Sequence, residues 1–89
     1  MPPKHSKLVD NVGRRIAEIR RERGWTQDYL AEKARVTGGY IRQIEGGKQN
    51  LSLGTLEWLA GILKCKPIDL FQAAKPKKRS AGRPQKIKP

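Results

Sequence analysis

Residues 25–48 read WTQDYLAEKARVTGGYIRQIEGGK, and the rest of the chain is organised around them. Within this stretch Thr26 and Thr37 stand 11 positions apart, and each precedes residues that can continue a helix. A threonine hydroxyl at such a position accepts a hydrogen bond from a free backbone N–H of the first helical turn. The two threonines therefore mark two helix starts, and we predict helices over residues 27–34 and 38–45.

Apolar residues beside both caps indicate how these two helices pack. Trp25 precedes the first cap and can contact Leu30 inside the helix, an arrangement called a hydrophobic staple. Val36 and Ile41 repeat it around the second cap. Two capped helices so close in sequence must cross at a steep angle. This is the geometry of a helix-turn-helix motif, whose second helix enters the major groove in DNA-binding proteins.

The flanking sequence predicts three more helices. One begins at Asp10 or Asn11 and ends at Gly24, a second follows the cap residue Ser52, and a short fifth covers PIDLFQ from Pro67. The apolar residues expected in the core are Val12, Ile16, Ile19, Leu30, Ala31, Ala34, Ile41, Ile44, Leu56, Leu59, Ala60, Leu63, Leu70 and Phe71. We expect an all-α fold, a compact five-helix DNA-binding domain.

Charge divides the chain into three parts. The 89 residues carry a formal charge of +12. Residues 1–9 contribute +2 and residues 73–89 contribute +7, so the stretch between them has a net charge of only +3. We predict a flexible basic arm over residues 1–9, a helix-turn-helix domain over 10–73 and a disordered basic tail over 74–89. Such a tail favours a polyanion such as nucleic acid and has almost no apolar face for a membrane.

The sequence argues against several classes of protein and site. Cys65 is the single cysteine, so neither an internal disulfide nor a Cys/His metal pattern is expected. No apolar run approaches the roughly 20 residues of a membrane span, and the N-terminus lacks the apolar centre of a secretory signal. An enzyme is not expected, because His5 lies in the predicted arm and Cys65 suits a small apolar filler. We expect no cofactor and a cytoplasmic, nucleoid-associated protein.

The motifs together resemble one family. TQDYLAEKARVTGGYIRQIEGGK, followed after a short loop by LSLGTLEWLAGIL, resembles the phage-repressor-like, xenobiotic-response-element-like or Cro-like helix-turn-helix transcription regulators. The resemblance covers about residues 12–71, and the YI..IE and NLSL surroundings are similar to restriction-modification controller proteins. It implies a compact DNA-binding domain whose second motif helix reads the operator.

The resemblance implies roles for individual residues. Gln27 is similar to the glutamine that braces a backbone phosphate and a neighbouring side chain of the recognition helix. Thr37, Lys48 and Asn50 lie where family members present polar groups or loop N–H groups to phosphates. In repressor relatives the positions of Arg20 and Glu45 form an ion pair, which implies a structural pair here.

Two glycines depart from the family pattern. Gly38 and Gly39 fill the first positions of the predicted recognition helix, where relatives place base-reading side chains. One interpretation is that the backbone approaches the groove closely and base readout moves to Tyr40, Arg42 and Gln43. Arginine suits a guanine edge and glutamine an adenine edge, whereas the alternative for the tyrosine is a contact with sugar or phosphate. The alternative is a loosely held helix end that reads little.

Apolar residues of the last two helices predict self-association. Trp58 stands where the family has a polar surface residue, and Ile62 follows four positions later, off the core stripe. Tryptophan is favoured at the centres of interfaces. We predict a two-fold homodimer anchored by Trp58, Ile62 and Ile68, which demands a palindromic operator. The alternative is that Trp58 folds back over its own domain or lies under the tail.

The C-terminal tail offers further DNA contacts. Gly82, Arg83 and Pro84 match the core of an AT-hook, although Ala81 replaces its first arginine. The alternative is a polycation whose phosphate contacts depend on salt and not on sequence. The tail residues expected to contact DNA are Lys77, Lys78, Arg79 and Arg83.

Three functional hypotheses follow. The first is a sequence-specific DNA-binding transcription regulator, acting as a homodimer on double-stranded DNA. The second is an antitoxin-like interaction module that holds a protein partner of unknown identity. The third is a weakly specific nucleoid-associated protein, which both the glycine pair and the basic tail would suit.

Overall fold

The computed structural model describes residues 6–75, and the elements of that part are helical, with no strand. In chain order they are α1 (Lys7–Glu22), α2 (Gln27–Ala34), α3 (Gly38–Glu45), α4 (Leu53–Leu63) and a 3-10 helix (Pro67–Phe71). The all-helical fold is confirmed, and α2 and α3 begin and end where the two threonine caps predicted.

The expected count of five helices is not confirmed as five α-helices, because the last element is a 3-10 helix. Pro67–Phe71 is a 3-10 helix of 5 residues, so the described chain has four α-helices and one shorter, tighter turn. A 3-10 helix has three residues per turn, which places adjacent side chains on different sides. Leu70 is fully buried, whereas Phe71, expected in the core, remains 36% exposed.

The first helix begins earlier than predicted. α1 starts at Lys7 and not at Asp10, because the Ser6 side chain accepts a hydrogen bond of 3.0 Å from the backbone N–H of Val9. Residues 7–9 are therefore helical and not part of a flexible arm. The first five residues of the predicted arm lie outside the described residues.

One core joins the helices. Its buried members come from α1, α2, α3, α4 and the 3-10 helix, and α1 packs directly on α3. A Cβ on Gly13 would lie less than 3.0 Å from the Ile44 carbonyl oxygen, so only glycine fits at this crossing. The buried apolar residues are Val12, Ile16, Ala17, Ile19, Leu30, Ala31, Ala34, Ile41, Ile44, Leu56, Leu59, Ala60, Leu63 and Leu70.

An aromatic cluster covers the start of α2. Trp25 is half-buried against the core, and its ring meets that of Tyr29 edge-on with centroids 5.3 Å apart. The ammonium of Lys33 lies 5.2 Å from the centroid of the tryptophan ring. Edge-on aromatic contacts and an overlying cation are both favourable, so Trp25 is held by polar as well as apolar neighbours.

Residues 72–75, the last that the structure describes, are hydrogen-bonded to α1, and we call them the C-terminal strap. The Asn11 side chain donates to the carbonyl of Gln72 and accepts from the N–H of Ala74, both at 2.8 Å. The Glu18 carboxylate accepts from the N–H of Lys75 at 2.5 Å. The first two residues of the predicted tail are therefore tied to the helical domain.

Candidate nucleic-acid interface

The two threonines form the caps that open the motif helices. Thr26 Oγ1 accepts from the N–H of Tyr29, and Thr37 Oγ1 accepts from the N–H of Tyr40, each at 3.0 Å. Between them Arg35 ends α2 in the left-handed conformation, with φ of 60°. The turn joining the helices is thus set by two side-chain caps and one left-handed residue.

The C-terminal end of α3 is fixed by a buried ionic cluster. Arg20 donates from Nε to Glu45 Oε2 at 2.7 Å and from Nη2 to Glu45 Oε1 at 3.0 Å. Its Nη1 donates to the carbonyl of Trp25 at 2.7 Å, and Gln27 Nε2 donates to Glu45 Oε1 at 2.9 Å. The side chains of the ion pair are only 9% and 7% exposed. The cluster therefore joins α1, α2 and α3 at one point.

α3 has a buried side and an exposed side. Ile41 and Ile44 are fully buried, while Arg42 and Gln43 between them are exposed. Tyr40 is half-buried and packs against the core, which leaves it less free than its two neighbours. The exposed side carries the two side chains that the sequence assigned to guanine and adenine edges.

The space beside Gly38 and Gly39 is filled by the side chains of Asp28 and Arg42. A Cβ on Gly38 would lie 2.6 Å from Asp28 Oδ1 and 3.3 Å from Arg42 Nη1, and a Cβ on Gly39 would lie 3.7 Å from Arg42 Nη2. Neither glycine has a positive φ, so the backbone conformation does not require glycine. The Arg42 guanidinium therefore lies along the first turn of α3, in the space that two side chains would otherwise fill.

Two polar residues near the predicted readers were missed by the sequence analysis. Gln49 Nε2 donates to Gln43 Oε1 at 2.8 Å, which holds the predicted adenine reader from the loop after α3. Asp28 lies beside Gly38, as described above. In the sequence both residues look ordinary, because an acidic residue favours the first turn of any helix and a glutamine suits any loop.

The residues predicted to contact phosphates lie around both ends of α3. Thr37 is exposed at the N-terminal end, and its hydroxyl already accepts the cap hydrogen bond. Lys48 and Asn50 are exposed in the loop that follows the C-terminal end. That loop turns at Gly47, whose φ is 74° and which packs against Asp10 of α1. Gln27, the fourth predicted residue, is directed at the buried ionic cluster.

Exposed apolar side chains fall into two groups. Trp58 and Ile68 are 42% and 61% exposed, whereas Ile62 is half-buried against its own core. Gly61, one turn from Trp58, has open space beside it. The second group, Leu8, Leu53 and Phe71, borders an apolar groove between the starts of α1 and α4 and the end of the 3-10 helix.

Several other predictions concern residues away from α3. Cys65 packs against the core, and burial, with a smaller contribution from Asp69, raises the pKa of its thiol, so the neutral form is favoured. Among residues 6–75 no group of three or more metal-ligating side chains comes together. Within the same range no helix is long and apolar enough to cross a bilayer. The four predicted tail contacts, Lys77, Lys78, Arg79 and Arg83, lie outside the described residues.

Comparison with known proteins places this helical arrangement in a family. The chain matches the family described as Helix-turn-helix over residues 16–70. It is 52% identical over 52 residues to the immunity repressor protein of Bacillus phage phi105, which covers 58% of this chain and 36% of that repressor. The chain spans 36% and 58% of the lengths of the curated relatives it matches.

Solved structures of restriction-modification controller proteins are similar to this fold. C.AhdI from Aeromonas hydrophila is 32% identical, with a TM-score of 0.66 and coverage of 71% of this chain and 96% of that one. C.Esp1396I, solved as a tetramer in complex with its natural 35 base-pair operator, is 34% identical, with a TM-score of 0.68 and coverage of 76% and 90%. The resemblance inferred from the motifs is thus confirmed. The chain belongs to the helix-turn-helix family, and within it is similar to phage repressors and restriction-modification controller proteins.

Proposed function

We propose that this protein is a sequence-specific DNA-binding regulator of transcription, with α3 as its recognition helix. The observation that carries the proposal is the two-sided packing of α3, which buries Ile41 and Ile44 and exposes Arg42 and Gln43. A helix held on one side by a core can place its other side in the major groove. The relatives support the same function, since they include a phage immunity repressor and an operator-bound controller protein.

The exposed side of α3 supplies base readout in this proposal. Arg42 presents two N–H donors to the two acceptors of a guanine edge, and Gln43 presents an amide to an adenine edge. Tyr40, half-buried beside them, contributes a smaller contact to base or sugar. Each good bidentate contact discriminates against a wrong base by about 1 to 3 kcal/mol.

Phosphate contacts position the helix without reading sequence. Thr37, Lys48 and Asn50 flank α3 on both sides and are exposed, which is the placement such contacts need. Gln27 contributes indirectly in this proposal. Its amide donates a hydrogen bond to Glu45 and so helps to hold the C-terminal end of the recognition helix in place. These contacts supply affinity for any duplex, and the exposed side of α3 supplies the preference for one.

Selection of bound sequences from random DNA at a stated salt concentration tests the proposal. The wild-type chain is expected to enrich a defined sequence, and Arg42→Ala to lose discrimination at a guanine of that sequence. Arg21→Ala is the matched control, because it removes an exposed arginine from α1 and leaves α3 intact. Binding without enrichment of any sequence would reject specific readout and favour the weakly specific nucleoid-associated alternative.

We further propose that the protein acts as a homodimer on a palindromic operator. Trp58 and Ile68 are exposed apolar residues, and the open space beside Gly61 leaves room for the α4 of a second copy to approach. Ile62 is half-buried, so only its exposed part contributes to this surface. A two-fold interface here would set two copies of α3 against two half-sites, as in other dimeric helix-turn-helix proteins.

Sedimentation of two variants tests the interface. Trp58→Glu is expected to be monomeric at concentrations where the wild type is dimeric. Leu53→Glu is the matched control, because it places the same charge on the same helix, at a residue that borders the apolar groove. Dissociation by Leu53→Glu alone would move the interface to the groove.

The basic tail adds affinity in this proposal and no specificity. Deleting residues 76–89 removes six of the 20 basic residues. If four of them contact phosphates, the slope of log affinity against log salt flattens by roughly 3 to 4. Binding of all sequences should weaken alike, whereas a selective loss on A·T-rich flanks would favour the AT-hook alternative.

A further inference from the structure

We propose that Asp28 is a positioning residue for base readout, which holds the Arg42 guanidinium across Gly38 and Gly39 so that it faces a guanine. This inference rests on the proposed function, because it concerns how α3 recognises its operator. Arg42, in the second turn of α3, thereby takes the place of the base-reading side chains that Gly38 and Gly39 lack in the first turn.

The space around Gly38 is the first argument. Asp28 Oδ1 lies 2.6 Å and Arg42 Nη1 lies 3.3 Å from the point where a Cβ would stand. Any side chain at position 38 would have to displace the carboxylate of Asp28. At Gly39 the requirement is weaker, because a Cβ there would lie at ordinary contact distance, 3.7 Å from Arg42 Nη2. Gly38 therefore preserves one shared space for a carboxylate and a guanidinium.

The charges on the two sides of Gly38 are the second argument. The carboxylate and the guanidinium attract each other, yet they do not form a direct ion pair, unlike Arg20 and Glu45. Both Asp28 and Arg42 are exposed. The attraction of the carboxylate favours a guanidinium directed over Gly38, and the N–H groups of that guanidinium remain available to an incoming base. A direct pair would have occupied those donors.

A carboxylate near the groove also carries a penalty that a purely structural residue would not. Asp28 is a negative charge beside a helix that must approach phosphates, and like charges repel across the interface. Its presence therefore lowers affinity for every duplex, while its restraint on Arg42 favours the duplex with a correctly placed guanine. A merely structural Asp28 would act only through the stability of α2, since acidic residues are favourable in the first helical turn.

Binding measurements on four proteins test the inference. They are the wild type, Asp28→Asn, Arg42→Ala and the double variant, each titrated with the selected operator and with an operator altered at the guanine that Arg42 contacts. The wild type is expected to discriminate between the two by about 5- to 150-fold, and Arg42→Ala to lose this discrimination. Asp28→Asn is expected to reduce it several-fold while binding the altered operator as tightly or more tightly. In the double variant the loss should be no greater than in Arg42→Ala.

Two glycine variants provide a matched control. Gly38→Ala must displace the carboxylate and is expected to lower discrimination as Asp28→Asn does. Gly39→Ala fits without displacement and is expected to keep most of it. Thermal melting of each variant shows whether α2 and α3 remain folded, and asparagine at position 28 is also tolerated near a helix start.

Two results would overturn the inference while leaving the proposed function intact. One is an Asp28→Asn protein with unchanged discrimination, which would leave Asp28 as a helix-stabilising charge. The other is a further loss of discrimination when Asp28→Asn is added to Arg42→Ala, which would mean that Asp28 does not act through Arg42. If the wild type enriches no sequence at all, the proposed function fails first, and the inference fails with it.

Discussion

The two ends of α3 are built in opposite ways. At the C-terminal end Glu45 is held by Arg20 and Gln27 in a cluster of charge-assisted hydrogen bonds with little exposure to solvent. At the N-terminal end two glycines replace side chains, and the guanidinium that lies over them is exposed and not directly paired. One end holds α3 in place against α1 and α2, and the other leaves a charged group exposed, which in the proposed function contacts DNA.

Burial and direct bonding distinguish the two sets of opposite charges: Arg20 and Glu45 are bonded and buried, whereas Asp28 and Arg42 are exposed and not directly bonded. The hydrogen bonds of a buried bidentate pair are strong because water does not compete for the donors and acceptors. Removing either partner, however, leaves an isolated charge in the interior. An exposed pair is weakened by solvent and salt and contributes little to stability. We therefore expect the loss of a residue at the buried end to destabilise the domain, and the loss of a residue at the exposed end to change DNA binding.

Breaking the buried end should have the largest effect. Arg20→Ala leaves Glu45 without its cation and the Trp25 carbonyl without its donor, so we expect a loss of roughly 3 to 5 kcal/mol in the free energy of unfolding. Urea denaturation measures it. Arg21→Ala, at an exposed position of the same helix, should change stability by no more than about 0.5 kcal/mol. Equal losses of stability in Arg20→Ala and Arg21→Ala would contradict a structural role for the buried cluster.

The backbone contact between α1 and α3 should come next. Gly13→Ala places a methyl group against the Ile44 carbonyl, and we expect a loss of about 1 to 3 kcal/mol as the helices separate. Gly61→Ala is the control, because open space surrounds it and alanine favours a helix interior by about 0.5 to 1 kcal/mol. Both should be made in the Trp58→Glu background, which is expected to be monomeric, so that an effect of Gly61→Ala on self-association does not enter the comparison. A stable Gly13→Ala protein would show that α1 is free to shift.

The capped start of α3 should respond less. Thr37→Ala removes the hydrogen bond to the N–H of Tyr40, and we expect a loss of about 1 kcal/mol in stability. Thr37→Ser retains a cap hydroxyl and should retain most of the stability. Thermal melting of both variants tests this, and a larger loss than that of Arg20→Ala would reverse the order of the two ends.

The exposed contact between Gln49 and Gln43 should have the smallest effect on folding. Gln49→Ala removes a solvent-exposed hydrogen bond of 2.8 Å, so we expect a change of less than about 0.5 kcal/mol. Its effect should appear instead as weaker discrimination at an adenine of the operator. Urea denaturation alongside operator titration separates the two, and a clear loss of stability would place Gln49 in the fold rather than in recognition.

The sequence specified the motif helices well because their signals are local. Thr26 and Thr37 are each recognised by residues within one helical turn, and α2 and α3 have the predicted bounds. The apolar periodicity predicts a start of α1 at Asp10 or Asn11, whereas the Ser6 cap starts the helix at Lys7. The sequence does not distinguish a 3-10 helix from an α-helix after Pro67, because proline opens either kind and five residues are too few to show a periodicity.

The neighbours of the predicted readers were beyond local reasoning. Asp28 and Arg42 meet at Gly38 only after α2 and α3 have packed, and no spacing in the sequence signals their approach. Gln49 reaches Gln43 from a loop whose course depends on Gly47. The sequence could propose which side chains read DNA, whereas the neighbours proposed to orient them come together only in the tertiary structure.

The C-terminal strap has a consequence for the order in which the domain folds and opens. Its hydrogen bonds join residues 57 to 63 positions apart, so they close long loops, whereas the helices form from near neighbours. Two of these bonds are exposed and the one donated by Ala74 is partly buried, and bonds at such a periphery open at a small fraction of the global unfolding energy. The amides of Ala74 and Lys75 should therefore exchange with deuterium well before that of Ile44. The strap would be the last segment to settle on the domain and the first to leave it, without any helix unfolding.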